Sequence, residues 1–454
     1  MDFFFNPKGI AVLGATVNEI RGGFSILKNL QHGFSGNIYP VNPHYSEIEG
    51  LPCFVDISQV PDPLDMAILF VPAPVTPDVV QACVARGLPG VIIQSAGFSE
   101  TGEKGRKLQD QLTEISRRTG IRIWGPNCMG LVDAVHKRVF SFISPSIWDE
   151  GLLPGDISLI VQSGMLSAGF LIDTMTRDKL GISKVCSIGN KVDVNECDIL
   201  EYLLTDPDTS VVGLYLESMA EGRRFFEICK SAKKPIVLLQ GGKSKEGSRA
   251  AMSHTASMAG NSAIVRGAMD QAGVIQANDF KQMMDFSRTL SLYPKKGMRC
   301  PGRIAIVTFS GGAGIVSTDL LDRHGLVLAD LSSNTLKSLE SVFPEWMPAN
   351  NPVDLWPAIE RVGLDKAYEQ TIHAVCADPG VDAVFLHAFA GGLIWQLKLK
   401  PVIETAQKAG KPIFLWLIGN ERDSLRFEKE AREIKVPVFR EISRAVESMA
   451  TIFS

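Results

Sequence analysis

Short, nearly unbroken apolar runs alternate with longer amphipathic stretches along the whole chain, and Gly or Pro marks most of the turns between them. That rhythm predicts parallel α/β architecture. In the first third, strands are expected at 10–13, 37–41, 66–71, 91–95 and 122–124, with helical periodicity over 76–86 and 105–119. The run Ala67-Ile68-Leu69-Phe70-Val71 shows no polar alternation, as expected of a strand covered on both faces. The pattern breaks at 144–155, where Pro145, Gly151, Pro154 and Gly155 crowd together, and again at 293–302. Beyond the first break, strands are expected at 157–161, 184–188, 211–216 and 235–239; beyond the second, at 304–307, 383–387, 413–417 and 436–439. The expectation is three α/β domains, over 1–143, 155–292 and 302–454.

The second and third domains start alike. ISLIVQSGMLSAGF from Ile157 and IAIVTFSGGAGIV from Ile304 each run an apolar strand into Ser-Gly and a small-residue helix start. Each domain also has an apolar strand introduced by Lys-Pro, at Lys234-Pro235 and Lys411-Pro412. One architecture is expected to be used twice.

Composition narrows the function classes. The chain has 454 residues, 45% hydrophobic and 21% charged, which is ordinary globular usage. A net charge of −4 gives no basic excess of the kind nucleic acid binding asks for. No apolar run reaches the ~18 residues of a membrane span, and the start, Met1-Asp2-Phe3-Phe4-Phe5, lacks the basic segment of a signal peptide. The eight Cys show no C-x-x-C spacing, so neither a zinc site nor a disulfide framework is indicated. A cytoplasmic protein without membrane or nucleic-acid partners is expected.

The strand ends carry the candidate chemistry. The first strand runs into Gly14-Ala15-Thr16, followed by Arg21-Gly22-Gly23 and an apolar helix. Such a turn is either a plain tight connection or a place where backbone N–H groups meet a phosphate at a helix start. NAD would need an acid at the end of the second strand to hold its ribose. Val41-Asn42 stands there, which disfavours NAD and leaves other phosphate-rich nucleotides. Val71-Pro72 and Ser95-Ala96-Gly97 end the next two strands on the same side of the sheet. Gln162-Ser163-Gly164 and Ser310-Gly311-Gly312-Ala313-Gly314 sit at equivalent strand-to-helix turns, either as structural turns or as anion sites. Glu217 ends a buried-looking strand, as a site carboxylate or a helix-start acid. Of the seven His, His254 lies in RAAMSHTASMAG, whose residues are too small and polar to pack a core; that suits a loop bringing imidazole to a site as nucleophile or base. Gly241-Gly242-Lys243-Ser244 ends like a phosphate-binding loop, but Val237 occupies the place of its first Gly, so no such loop is assigned.

Taken together and in this order, these segments resemble the α subunit of NDP-forming acyl-CoA synthetases, in the succinyl-CoA synthetase superfamily. The likeness runs over essentially the whole chain and includes Gly125-Pro126-Asn127-Cys128-Met129-Gly130, similar to the family's GPNCxG turn. The resemblance implies a Rossmann-like CoA-binding domain followed by two flavodoxin-like domains. It implies a reversible ligase reaction in which acid, CoA and ATP give acyl-CoA, ADP and phosphate through an acyl phosphate and a phosphohistidine. By the resemblance, His254 carries the phosphoryl group, Glu217 orients the ring, and the helix starts at Ser163-Gly164 and Ser310–Gly314 hold the phosphate. The CoA loops fall on Gly14, Ala15, Thr16, Arg21, Gly23, Val41, Asn42, Val71, Pro72, Ser95, Ala96 and Gly97. Two departures stand out: the family commonly has Lys in the first loop, where Arg21 is the nearby cation, and His-Thr-Gly where this chain has His254-Thr255-Ala256. Trp356 is expected near the acyl group and to bear on substrate choice. No stretch resembles an ATP-grasp fold, so ATP/ADP and Mg are expected on a separate ATP-grasp β subunit, in the α2β2 hetero-oligomer the family suggests, with a small carboxylic acid as substrate. The competing readings are a non-catalytic CoA-binding regulatory subunit, for which a complete phosphoryl-transfer set has no use, and an oxidoreductase, which Asn42 disfavours.

Overall fold

The computed structural model describes residues 1–174, 176, 179–247, 249, 261–293, 298, 300–391 and 397–453. It divides into two compact units, Met1–Met283 and Met284–Ser454.

The first unit opens with β1 (Gly9–Leu13), five residues all buried, as its continuous apolar sequence requires. β2 (Asn37–Val41), a small hairpin of β3 (Glu47–Ile48) and β4 (Leu51–Pro52), and then β5 (Met66–Leu69), β6 (Gly90–Ile93) and β7 (Arg122–Trp124) follow. Apart from the hairpin these strands form a parallel five-stranded sheet in the order β2-β1-β5-β6-β7. The chain leaves β1 for β2 on one side and returns to β5 on the other. Such a reversal opens a crevice above the carboxyl ends of β1 and β5. The helix Glu103–Thr119 covers one face of this sheet with Leu112 and Ile115, and Gly120 ends it in the left-handed conformation at φ 77°.

A second sheet in the same unit contains β8 (Gly130–Asp133), β9 (Arg138–Phe140), β10 (Pro154–Val161), β11 (Ile182–Ser187), β12 (Val211–Leu216), β13 (Ile236–Gln240) and β14 (Ile275–Ala277). Its order is β14-β13-β12-β10-β11-β8-β9, parallel from β14 to β11 and antiparallel through β8 and β9. β8 and β9 precede the break at 144–155, which itself holds the short helix Ile147–Glu150. One hydrophobic cluster runs from Phe4, Ile10 and Ile68 of the first sheet's layer to Ile160, Leu214 and Leu238 of the second.

This layer also buries a cation. Lys184 is 1% exposed, with Nζ 2.8 Å from Asp206 and 3.7 Å and 3.9 Å from Asp208 and Asp133. Lys184→Met leaves those carboxylates without their counter-charge and is expected to cost about 3–5 kcal/mol, read as a lower midpoint in urea unfolding.

The second unit holds β15 (Arg303–Thr308), β16 (Val327–Leu328), β17 (Val353–Asp354), β18 (Ala383–Ala390), β19 (Ile413–Gly419) and β20 (Val438–Phe439). Its parallel sheet has the order β16-β15-β18-β19-β20, with β17 also pairing β15. The internal likeness read from the sequence extends to the Lys-Pro strands. Lys234 Nζ donates to Leu203 and Asp206 carbonyls at the end of the helix Glu196–Thr205. Lys411 Nζ likewise donates to Val375 and Asp378 carbonyls at the end of Leu364–Ala377. A cation on the last carbonyls satisfies the acceptors a helix leaves over and suits its dipole. Among the described residues no helix is long and apolar enough to cross a membrane.

Candidate active site

The crevice of the first sheet is lined by the loops singled out in the sequence. Gly14 follows β1 at φ +91°, where a Cβ would lie 2.4 Å from the Phe70 carbonyl oxygen. Gly23, in the first turn of the helix Gly22–Gly33, passes so close to Gly14 that a Cβ would lie 2.1 Å from its carbonyl oxygen. Only glycine permits these approaches, and they draw the helix start in over the strand end. Arg21 precedes that helix, exposed, and no side chain caps the helix start. Asn42 stands where a dinucleotide fold places its acid. Its Nδ2 donates to the Ala15 carbonyl at 2.8 Å, and the Val41 carbonyl accepts from Gly14 N at 3.2 Å, so the second strand end braces the first loop. Thr16 Oγ1 accepts from Asn18 N and lies 3.4 Å from the Tyr45 hydroxyl.

Val71 and exposed Pro72 close the other side of the crevice, with Val71 Cγ1 3.1 Å from the place of a Gly14 Cβ. Gly97, at φ +112°, would bring a Cβ to 2.9 Å from Ala73, so the loop after β6 leans on the loop after β5. Ala96 is exposed at its tip. Ser95 is 8% exposed and its hydroxyl, at the end of β6, finds no partner within the described chain. Glu100 Oε1 accepts from Gly97 N at 2.6 Å and Phe98 N at 3.0 Å. Burial pushes the Glu100 carboxyl up, but hydrogen bonds from Asn190 and these N–H groups outweigh it and hold it below the usual range. Crowded glycines, a bare helix start and an orphan buried hydroxyl fit a phosphate-bearing ligand such as CoA.

Beyond the central strand β10 the chain enters Gln162-Ser163 and the helix Gly164–Asp173. Gln162, 3% exposed, accepts at Oε1 from Glu217 N at 2.8 Å and Ser218 N at 3.1 Å, while its Nε2 donates to Ser218 Oγ. It thereby fixes the loop after β12. Ser163 passes its carbonyl to Ser167 N and Oγ, inside the first helical turn. A Cβ on Gly164 would meet nothing nearer than 3.7 Å, so space does not dictate glycine there. Glu217, 7% exposed, accepts at Oε1 from the Tyr215 hydroxyl at 3.2 Å. β13 delivers Gly241 to the same place, where a Cβ would lie 3.4 Å from Glu217 Cγ. His254 lies further along this connection, outside the described residues.

In the second unit, Ser310 precedes the helix Gly311–Arg323, with its N and carbonyl both held by Thr308 Oγ1. A Cβ on Gly311 would lie 2.9 Å from Asp354 Oδ2, and one on Gly314 2.9 Å from Pro352; Gly312 is open. A carboxylate therefore already faces this helix start. His387 is buried between Thr308 and Ser317, and burial pushes its imidazole down to about 3, so it is neutral. Trp356 is 47% exposed at the start of the helix Trp356–Val362. Among the described residues no cluster of His, Cys, Asp and Glu is arranged to hold a metal.

Comparison with known proteins identifies the family. Residues 8–134 match the family described as "CoA binding domain", and residues 154–290 match "Succinyl-CoA ligase like flavodoxin domain". The chain is 38% identical to "Acetate--CoA ligase [ADP-forming] II" of Archaeoglobus fulgidus over 99% of its own length and 66% of that protein. It is 33% identical to the Pyrococcus furiosus "Acetate--CoA ligase [ADP-forming] I subunit alpha", over 100% of this chain and 97% of that one. The solved "dinucleotide forming Acetyl-coenzyme A synthetase 1 in complex with phosphate and ADP" of Ca. Korarchaeum cryptofilum superposes with a TM-score of 0.88 at 29% identity, covering 100% of this chain and 96% of that one. With parallel α/β sheets, a CoA binding domain match over the first sheet and a succinyl-CoA ligase-like match over the second, the chain belongs to the ADP-forming acyl-CoA synthetases, acid–thiol ligases of the succinyl-CoA synthetase superfamily, on the side of their α subunits.

Proposed function

We propose that this chain is the CoA- and phosphoryl-handling α subunit of an enzyme that converts a small carboxylic acid, CoA and ATP reversibly into acyl-CoA, ADP and phosphate. The observation that carries it is Glu217: a buried carboxylate at the carboxyl end of β12, its backbone gripped by Gln162, with the connection toward His254 leaving from Gly241 at its side. A regulatory CoA-binding role would leave that arrangement without use, and the similar proteins are ligases by name.

The division of labour proposed is three domains, 1–143 for CoA, 155–292 for the phosphohistidine and 302–454 as a second flavodoxin-like ligase domain; the matches over 8–134 and 154–290 support the first two. CoA, the thiol substrate, is held by the loops at Gly14–Gly23, Asn42, Val71-Pro72 and Ser95–Gly97. From the acyl-CoA side, a phosphate oxygen attacks the thioester carbon, the C–S bond breaks and CoA leaves as its thiol; the acyl phosphate so formed then gives up its phosphoryl group. A ring nitrogen of His254 forms the P–N bond, the P–O bond to the acyl group breaks, and the carboxylate leaves with the electron pair. Glu217 accepts the N–H of the other ring nitrogen, so the ring that gains charge on attack meets a counter-charge. Backbone N–H groups at Ser163-Gly164 face the phosphoryl oxygens. Ser310–Gly314 is the equivalent turn of the second ligase domain. The phosphoryl group passes on to ADP, with Mg, on a separate ATP-grasp β subunit in an α2β2 assembly; the name "subunit alpha" on a relative this chain nearly spans supports such a partner. Cytoplasmic residence fits eight cysteines that are all free.

Calorimetry with CoA and with NAD tests the first domain. Micromolar CoA binding without NAD binding is expected; the converse contradicts the assignment. Ser95→Ala sharpens it. The hydroxyl has no partner among the described residues to lose, so stability is expected to hold or rise slightly, while CoA affinity falls about 3- to 10-fold with one hydrogen bond gone.

A further inference from the structure

Beyond the end of β11 at Ser187, the chain turns through Gly189, Asn190 and Lys191. Gly189 and Lys191 both have positive φ, 56° and 57°. A Cβ on Gly189 would lie 2.2 Å from the Pro126 carbonyl oxygen, so the turn is pressed against the Gly125–Gly130 turn of the CoA domain. It is then stitched along the edge of the first sheet: Asn190 N to Pro126 O and Val192 N to Gly125 O at 2.9 Å, Val194 N to Ile123 O at 3.0 Å. Strand-like pairing at Trp124 and Val194 completes the seam.

Two neighbouring side chains leave this turn for the two halves of the site. Asn190 Nδ2 donates to Glu100 Oε2 at 2.7 Å and Gln109 Oε1 at 2.9 Å, and Glu100 is the side chain that holds Gly97 N and Phe98 N. Lys191 Nζ donates to the Ser218 carbonyl at 2.7 Å, to Glu196 Oε2 at 2.9 Å and to Gln162 Oε1 at 3.4 Å. Glu196, wholly buried, takes Ala220 N on its other oxygen at 2.6 Å. The backbone from Glu217 to Ala220 is therefore held through Gln162, Lys191 and Glu196. The Lys191 side chain is 5% exposed and its three donors are directed at these acceptors, so it works through the loop and not on substrate.

We infer that the Gly189–Lys191 turn is the fixture that positions both reacting halves: Lys191 is a positioning residue for Glu217 and thus for phosphoryl transfer, and Asn190 is a positioning residue for the CoA loop at Gly97. This rests on the function proposed above. An ammonium beside a buried carboxylate also stabilises the fold, so the variant that separates the two roles is Lys191→Met with Glu196→Gln. It removes both charges together, avoids an uncompensated one, and leaves the amide oxygen to accept Ala220 N.

The full chain is tested by single-turnover labelling with radiolabelled acetyl phosphate and by calorimetry with CoA, with a thermal melt on each variant. For the double variant the expected result is a maximal labelling rate about 10-fold or more lower, with the half-saturating acetyl phosphate concentration within about twofold of wild type. CoA affinity should stay within about twofold of wild type and the melt should stay cooperative. Asn190→Ala should show the opposite split, CoA affinity down about 5- to 10-fold with a smaller loss in labelling. Gly189→Ala should move both readouts together. A double variant that labels at the wild-type rate, or an Asn190→Ala chain with wild-type CoA affinity, overturns the inference while leaving the proposed function standing. Wild-type chain that takes no label, or a His254→Ala chain that keeps it, contradicts the proposed function and removes the role of Lys191 with it.

Discussion

In His254→Ala, acid-labile, base-stable phosphate on the protein should fall to background when the chain is offered radiolabelled acetyl phosphate. Alanine has no nucleophilic nitrogen, and the P–N bond of the proposed mechanism is made by the His254 ring. Stability is expected to change little, because the sequence RAAMSHTASMAG is too small and polar to contribute a core. Glu217→Gln keeps the shape and the bond from the Tyr215 hydroxyl but loses the charge facing the ring. A charge-assisted hydrogen bond in a buried setting is worth about 1.5–3 kcal/mol, so labelling should slow by roughly 10- to 150-fold. Glutamate 7% exposed on a loop held by Gln162 is placed for such an effect. Full labelling in His254→Ala moves the carrier elsewhere; loss there with an unchanged Glu217→Gln removes only the role of Glu217.

The second large effect is expected at Gly23. A methyl group there would sit 2.1 Å from the Gly14 carbonyl oxygen, a backbone atom fixed by β1, so the helix start must move away from the strand end. Overpacking of this kind costs about 1–3 kcal/mol, and the displaced N–H groups are those proposed to meet the CoA phosphates. CoA affinity in Gly23→Ala should therefore fall by about 10-fold or more, with a lowered melting temperature. Labelling by acetyl phosphate, which does not use this crevice, should survive wherever the variant stays folded. A Gly23→Ala chain that binds CoA as wild type does would take the crevice away from CoA.

The long buried strands were legible because their chemistry is one-sided. GIAVL, MAIL and IFLWLIG have no polar period to confuse with a helix, and each appears within a residue or two of its expected bounds. The short ones were not. β8, β9, β14, β16 and β17 have two to four residues each, too few to show a period, and they owe their place to neighbours distant in sequence. The same divide runs through the site. Gly14 and Gly97 stand out because glycine after a strand announces a backbone need, and a Cβ on either would lie under 3 Å from a neighbour, at 2.4 Å and 2.9 Å. Asn42 stands out in the sequence for the acid it replaces and as part of the CoA loops, but its bond to the Ala15 carbonyl shows only in the fold. Gly164 shows the same glycine signal, yet a Cβ there would make only ordinary contacts, none nearer than 3.7 Å. Nothing in the sequence singles out Lys191 and Glu196. Gly189-Asn190-Lys191 carries the same signal as the CoA loops, a glycine and polar residues after an apolar strand, but only the fold brings it between Glu100 and Ser218.

The most direct test of the central claim follows one phosphate. The purified chain is incubated with acetyl-CoA and radiolabelled phosphate, without ATP, and free thiol and protein-bound label are measured together. The account expects CoA thiol to be released as label enters the protein, with the label acid-labile, base-stable and confined to the peptide that contains His254. Thiol release without label on that peptide, or label that enters only when ATP is supplied, would contradict it.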